Sequence, residues 1–467
     1  MNDLSKAPYY YQSLDFQKLW LDYPPGKDYL GSAFLLSADE IHDMQNSRFL
    51  HQMQRAWQIP FYQRLWKTKG IEANDIRSLD DLTLLPSFSV HDLRDSIERN
   101  PPWGDLINID PNSDQPMPMV LQTSGGTTGL PRPMIYSPID REIMNINTGR
   151  RLYMQGVRPF DVIQVMLSLG LSNGGFLVRE GIWKYSGAIP VMTGSGAQTP
   201  TNRQIEIMRA WKSKHLIGFP AYIRKVGQVI QDQLGMDPKE LKIKSLILHL
   251  GVDDRASLEE LWGAKVYDTY GTNECGSLSA ECEYQNGSHI FEDSFFLEIL
   301  NSDTEQPVAH GEKGVVYQTT LFKHLAPLIR FNSNDISAFA TGECPCGSKH
   351  KRLNRIFGRS DNMIKLRGTN VFPEAIGSII GLNKLCNGEF ICIVENQGAN
   401  HEEKMTVEFE VLDEKLDKKE IELNMANQLK ESLGVKIQTI AKNLGDLDHL
   451  TGLSSQSKIR RLIDKRN

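Results

Sequence analysis

The stretch TSGGTTGLP, residues 123–131, crowds glycines and hydroxyls into a run that neither a helix nor a strand favours. Gly125, Gly126 and Gly129 let successive backbone N–H groups converge on one point, a concave anion site. Ser124, Thr127 and Thr128 add hydroxyl donors that can follow a phosphate as it moves. The lysine that a Walker loop needs after its last glycine is missing; Pro131 and Arg132 follow instead. Taken alone, the run suits a phosphate-holding loop and a plain surface linker equally. A second group with chemical capacity is sulfur-based. Cys344 and Cys346 flank Pro345 as a close thiol pair, and Cys282 with His289 would complete a Cys3His set of the kind that holds structural zinc. His350 or Cys275 could replace His289 or Cys282, and buried cysteines acting as small hydrophobes are the plain alternative.

These groups need a framework. At 467 residues the chain is long enough for two or more domains. Its 40% hydrophobic and 24% charged content is ordinary for a globular protein, and six cysteines do not make a disulfide scaffold at this length. A net charge of -6 with no long basic block speaks against nucleic acid as a partner. No apolar run approaches bilayer length, and the start MNDLSKAPYYYQ lacks the features of a secretory signal. A cytoplasmic location without membrane contact is the expectation.

Helical spacing of Ile41, Met44, Phe49, Met53, Trp57 and Phe61 predicts helix over 38–70, interrupted at Pro60. A loop and then a helix follow in 78–97, with Ser89 as N-cap. From 118 to 270, short apolar runs (MPMVLQT, DVIQVML, SLILHLGV) alternate with amphipathic stretches, which predicts an α/β sheet covered by helices. The first of these runs leads into the glycine–threonine loop, so a sheet edge is expected to present it. HIFEDSFFLEIL and GVVYQTTL read as half-buried strands of a more antiparallel subdomain. The tail reads as a helix near 373–381, strands near 389–395 and 404–411, and a helix over 417–433, an α+β domain of common size.

The motifs in series carry a resemblance. TSGGTTGLP is similar to the nucleotide-phosphate loop of the adenylate-forming enzymes: acyl-CoA synthetases, peptide-synthetase adenylation domains and luciferases. YDTYGTNECG (267–276) resembles their second core motif, which assigns Asp268, Tyr270, Gly271 and Thr272 to the nucleotide and Glu274 to magnesium. In IRFNSNDIS (329–337), which by itself is turn chemistry, the resemblance gives Asp335 the ribose hydroxyls. GRSDNMIKLRGTNVFPEAI (358–376) resembles the hinge motif, with Arg359 on the nucleotide and Asp361 as the pivot. SSQSKIRRLIDKR (454–466) resembles the terminal motif whose lysine, here Lys458, reaches the reacting carboxylate and phosphate; Ser457 stands where glycine is common. FYQRLW, SLDDLTLLPSFSVHDLRD, GFPAYI and RGTNVFPEAI resemble the phenylacetate–CoA ligase branch, some members of which share the cysteine layout with a structural zinc. Residues 1–37 are not explained by it.

The resemblance implies a nucleotide- and acid-binding domain over 1–360 and a mobile C-terminal domain over 361–467. It implies catalytic roles for Lys458, Glu274 and Thr127, with ATP and Mg²⁺ used to convert a carboxylic acid, aromatic or arylacetic, to an acyl-adenylate. Coenzyme A would then accept the acyl group. Phe219, Tyr222, Gly251 and Tyr267 are the expected acid pocket, and Asp253 stands where a glutamate is usual. A homodimer is implied as well. An amine or a carrier-protein thiol is the alternative acceptor, and a non-catalytic binding protein is the third reading. The retained Glu274, Asp335, Arg359 and Lys458 argue against that last one.

Overall fold

The computed structural model describes residues 8–107, 117–124, 131–251, 253–362, 364–366, 369–397, 402–453 and 459–466. The chain forms two compact units, one from residues 1–160, 169–189 and 269–354, the other from 161–168, 190–268 and 355–467.

In the first unit the expected 38–70 helix is two helices, Ala38–Ala56 and Pro60–Lys67. Ser37 and Glu40 cap the first reciprocally, and Pro60 opens the second, where its missing N–H is no loss. Ser89 caps Val90–Arg99 as expected, with Asp92 completing the box. Phe61 and Phe331 both pack on Phe88, with ring centroids 5.1 and 5.3 Å away, in an aromatic core. Phe295–Leu300, Gly314–Thr320 and Phe331–Ser337 pair antiparallel in chain order. HIFEDSFFLEIL is not one strand but two, Ser288–Ile290 and Phe295–Leu300. Between them the chain turns to place Asp293 against Arg150 at 2.8 Å, both fully buried, because a charge so deep must meet its partner. Arg150 lies on Pro138–Met154, a helix buried along nearly its whole length. Tyr29, from the segment that the motifs leave unexplained, covers it; the guanidinium is 4.1 Å from the ring centroid.

In the second unit Val162–Val165, His215–Gly218, Ser245–Leu248 and Lys265–Asp268 pair in parallel in that order. Helices Thr201–Ala210, Pro220–Leu234 and Arg255–Trp262 connect them. Leu216, Ile223, Val226, Leu246, Leu258 and Trp262 form their core. This is the alternation that the apolar runs predict. The strand Lys265–Thr272 belongs to both units: its last four residues pair antiparallel with Gly276–Glu281 in the first.

The C-terminal part of the second unit has its own core, from Ile364 to Ala441. Its central hairpin, Cys386–Gln397 with Glu402–Val411, and its helices Pro373–Gly381 and Lys418–Leu433 match expectation. Two parallel strands, Gln438–Lys442 and Leu462–Asp464, flank that hairpin and were not foreseen. The second lies in the basic run that resembles the terminal motif. Arg461 joins the sheet by pairing with Glu389 at 2.8 Å.

Candidate active site and metal centre

In the first unit the described residues on either side of the glycine–threonine stretch pair with each other. Val120–Thr123 and Pro133–Tyr136 form a two-stranded ribbon, not the edge of a larger sheet. Ser124 closes its base: its N–H donates to the Arg132 carbonyl (3.0 Å), and the Arg132 N–H donates to Ser124 Oγ (3.3 Å). Gly125, Gly126, Thr127, Thr128 and Gly129 lie outside the described residues, as does Lys458.

Glu274 stands in the turn between Lys265–Thr272 and Gly276–Glu281. Gly271 permits this turn, since a Cβ there would be 2.4 Å from the Gly276 carbonyl oxygen. Thr272 Oγ1 accepts the Cys275 N–H at 3.2 Å and locks the bend. The Glu274 carboxylate forms an ion pair with Arg132, and the two side chains are only 13% and 8% exposed. Lys323 donates to the Glu274 carbonyl at 2.8 Å. Burial pushes the Lys323 pKa down, while Asp140 pulls it up. Tyr136 donates its hydroxyl to the Asn273 carbonyl at 2.5 Å, and Asn173 Nδ2 reaches the same oxygen at 3.3 Å. A cleft of about 40 Å³ adjoins this group, walled by Leu93, Leu106 and Met134 and bordered by Arg132, Glu274 and Lys323.

Asp335 is in the strand Phe331–Ser337, just after Asn334, whose φ of 62° bends the chain. It accepts the Tyr270 hydroxyl at 2.7 Å, and Gln318 Nε2 donates to that hydroxyl at 2.9 Å. Burial, then the charge of Asp335, hold the Tyr270 phenol well above its ordinary pKa, so it remains a donor. Two motifs 65 residues apart are thus joined directly.

The second unit holds the remaining candidates. Asp268 accepts the Leu250 N–H at 2.8 Å and fixes the loop in which Gly251 takes a φ of 56°. Phe219 is half-buried, stands just before Pro220–Leu234, and lies 6.4 Å from the His249 ring. Tyr222 and Tyr267 are each 5% exposed, and the Tyr222 hydroxyl is engaged by Gln204 (3.0 Å) and Thr201 (3.2 Å). Asp253 accepts from Arg224 at 2.6 Å. Arg359 clasps Asp361 through two bonds of 2.8 and 2.7 Å.

The sulfur cluster is complete within the first unit. Cys282, His289, Cys344 and Cys346 bring their ligand atoms within 4.8 Å of one another. Cys282 and Cys344 Sγ are 3.6 Å apart, and Cys346 Sγ is 3.4 Å from His289 Nε2. A tetrahedron with Zn–S bonds of about 2.3 Å has an edge of roughly 3.7 Å, so the spacing fits a metal of that size. Burial lifts the Cys282 thiol to about 12 and lowers the His289 imidazole to about 3. A neutral imidazole suits a metal, and a cation is what would make buried thiolates tolerable. The substitutes drop out. His350 is held by the Ile290 and Ala33 carbonyls, and Cys275 donates to Gln318. Phe34 packs its ring 5.0 Å from His289, so residues near 29–34 cover both Arg150 and this cluster.

Sequence reasoning missed Arg132 as the partner of Glu274, and it missed Lys323, Gln318 and Asn173. No local signal marks them, because each acts across 40 residues or more of chain.

Residues 368–466 match the AMP-binding enzyme C-terminal domain family. The phenylacetate-coenzyme A ligase of Thermus thermophilus is 27% identical over 431 residues, spanning 87% of this chain and 92% of that protein. That of Escherichia coli is 27% identical over 447 residues, spanning 92% and 96%. The crystal structure of a 2-hydroxyisobutyryl-CoA ligase in its postadenylation state shares the fold, with a TM-score of 0.82 at 24% identity over 92% of this chain and 91% of that one. Residues 368–466 thus carry an AMP-binding enzyme C-terminal domain, and nearly the whole chain is similar to phenylacetate-coenzyme A ligases at 27% identity.

Proposed function

We propose that this protein activates a carboxylic acid with ATP, forming an acyl-adenylate and pyrophosphate, and then passes the acyl group to coenzyme A. The observation that carries the reading is a convergence within one unit. Tyr270 and Asp335 meet at 2.7 Å, and Glu274, on the turn that follows Tyr270, pairs with Arg132, which directly follows the glycine–threonine stretch in sequence. That three segments far apart in sequence meet in this way supports the reading.

Attack of a carboxylate on the α-phosphorus brings anions together, so the protein's task is positioning and charge neutralisation. Asp335 would take the ribose hydroxyls, and the loop from Ser124 to Gly129 the phosphates. Arg359 would contact the nucleotide, while Lys458 would offset charge that grows on the reacting oxygens. Glu274, a single oxygen-donor carboxylate, suits Mg²⁺, which binds few protein groups and takes the rest from phosphate and water; Thr127 or Thr128 would assist. When bound, that ion would supply charge neutralisation at the phosphates. Residues 361–467 would turn about Asp361 between the two half-reactions, as hinge motions of this kind do. An aromatic or arylacetic acid is the substrate we favour, because the named relatives are phenylacetate ligases and Phe219 offers an aromatic wall. Cys282, His289, Cys344 and Cys346 would hold a structural zinc. A homodimer in the cytoplasm completes the reading; no helix among the described residues is long and apolar enough to cross a membrane.

The test is acid-dependent exchange of labelled pyrophosphate into ATP without coenzyme A, over aryl, arylacetic and short aliphatic acids. Exchange with an arylacetic or aryl acid, followed by thioester only when free coenzyme A is added, is the expected result. Adenylate formed but passed only to an amine or a carrier protein would replace the acceptor. Silence with every acid while ATP still binds would sink the reading. Elemental analysis should find one zinc per chain, lost in Cys344→Ser.

A further inference from the structure

Glu274 is not a free carboxylate waiting for a metal. Arg132 already neutralises it, and with 8% and 13% exposure the pair is sheltered from water. A guanidinium and a divalent cation compete for one carboxylate, since they repel each other strongly where water is excluded. We infer that Arg132 is a positioning residue that keeps divalent metal off Glu274 until a nucleotide arrives, so that metal loads with the nucleotide and not before it. The inference rests on the reading of Glu274 as the metal-holding carboxylate.

Three further observations give Arg132 the means to act this way. Its Nε is buried and has no hydrogen-bond partner among the described residues. Guanidinium groups favour two parallel bonds to phosphate, so an arriving phosphate offers Arg132 more than Glu274 now does. Its backbone is tied to Ser124 in both directions, so only the side chain need move. The adjoining cleft of about 40 Å³ gives it somewhere to go without unpacking the core; that is room for roughly three water-sized groups. The other end of the exchange stays still. Lys323 holds the Glu274 carbonyl at 2.8 Å, and Asn273 is held by Tyr136 and Asn173, so the carboxylate keeps its place when Arg132 leaves.

The experiment measures Mn²⁺ binding to the nucleotide-free protein by water-proton relaxation, in the wild type, Arg132→Met and Arg132→Gln, and in each combined with Glu274→Gln. Circular dichroism melts confirm that each variant folds. The wild type should show no site that depends on Glu274. Either Arg132 variant should gain a saturable site, tighter by roughly tenfold or more, in line with the cost of leaving a buried charge unpaired. Adding Glu274→Gln should remove it. A Glu274-dependent Mn²⁺ site in the nucleotide-free wild type would overturn the inference, as would folded Arg132 variants that gain nothing. Failure of the underlying reading shows elsewhere: Glu274→Gln would then leave pyrophosphate exchange intact.

Discussion

In the second unit, Ser245 Oγ lies 2.7 Å from His215 Nδ1, and His215 Nε2 lies 3.2 Å from Asp161. This is the order of a nucleophile, a base and an orienting acid. In the first unit, Arg132 and Glu274 form what looks like an ordinary ion pair. The surroundings of the two differ. Ser245, His215 and Asp161 are 2%, 1% and 3% exposed. They stand at or just before the starts of neighbouring parallel strands, with Lys214 adding a bond to Asp161 at 2.7 Å. Both ring nitrogens of His215 are engaged and no substrate can reach the hydroxyl, so the cluster ties strand ends together. The Arg132–Glu274 pair keeps an Nε donor with no partner among the described residues and borders a cleft. Donor order does not make a site; access and unspent hydrogen-bonding capacity do.

The comparison breaks or holds on activity first. Glu274→Gln or Lys458→Ala should lower pyrophosphate exchange by about 10²–10³-fold, the usual cost of losing one charge-stabilising group, with the fold retained. Ser245→Ala should leave exchange within about twofold, because a hydrogen bond remote from the chemistry carries no transition-state energy. If Ser245→Ala silenced the enzyme while Glu274→Gln did not, the assignment of the two clusters would be reversed.

Stability should register Ser245 where activity does not. Ser245→Ala leaves a buried imidazole nitrogen without its partner and should cost about 1–3 kcal/mol in urea unfolding.

The smallest effect is in pH. Burial pushes the His215 pKa below its ordinary value of 6.5, while Asp161 pulls it back up and Lys244 and Lys214 push it further down. The unfolded chain therefore binds the proton more readily, and stability is complete above 6.5 and falls as pH drops below it. One proton limits the slope to about 1.4 kcal/mol per pH unit. His215→Gln should flatten this part of the profile; an unchanged slope would mean that another group titrates there.

The strand and helix series through 118–270 was legible because periodicity is local: apolar runs such as SLIL leave strands, and AYIRKVGQVIQDQL leaves a helix. Pro60 and Ser89 were legible for the same reason, since a cap acts within four residues. The metal set was legible as a donor inventory but not as a choice. Sequence left His350 and Cys275 open, and only packing could show that the first is held by backbone carbonyls and the second by Gln318. The split of HIFEDSFFLEIL was illegible, because its cause, Arg150, lies 143 residues away. The strand Leu462–Asp464 was illegible because a short edge strand takes its partners from elsewhere.

By itself the sequence determined which chemical groups the protein has and in what order: the glycine–threonine stretch, Tyr270, Glu274, Asp335, Arg359 with Asp361, and Lys458. Those are properties of residue type and near spacing, which the chain carries whether or not it is folded. Only the tertiary structure decided who meets whom. Tyr270 with Asp335, Glu274 with Arg132, and His289 with the Cys346 thiol are matched across 57 to 142 residues. Such pairings are set by the exclusion of water, which makes each buried charge or donor find a partner wherever the fold brings one.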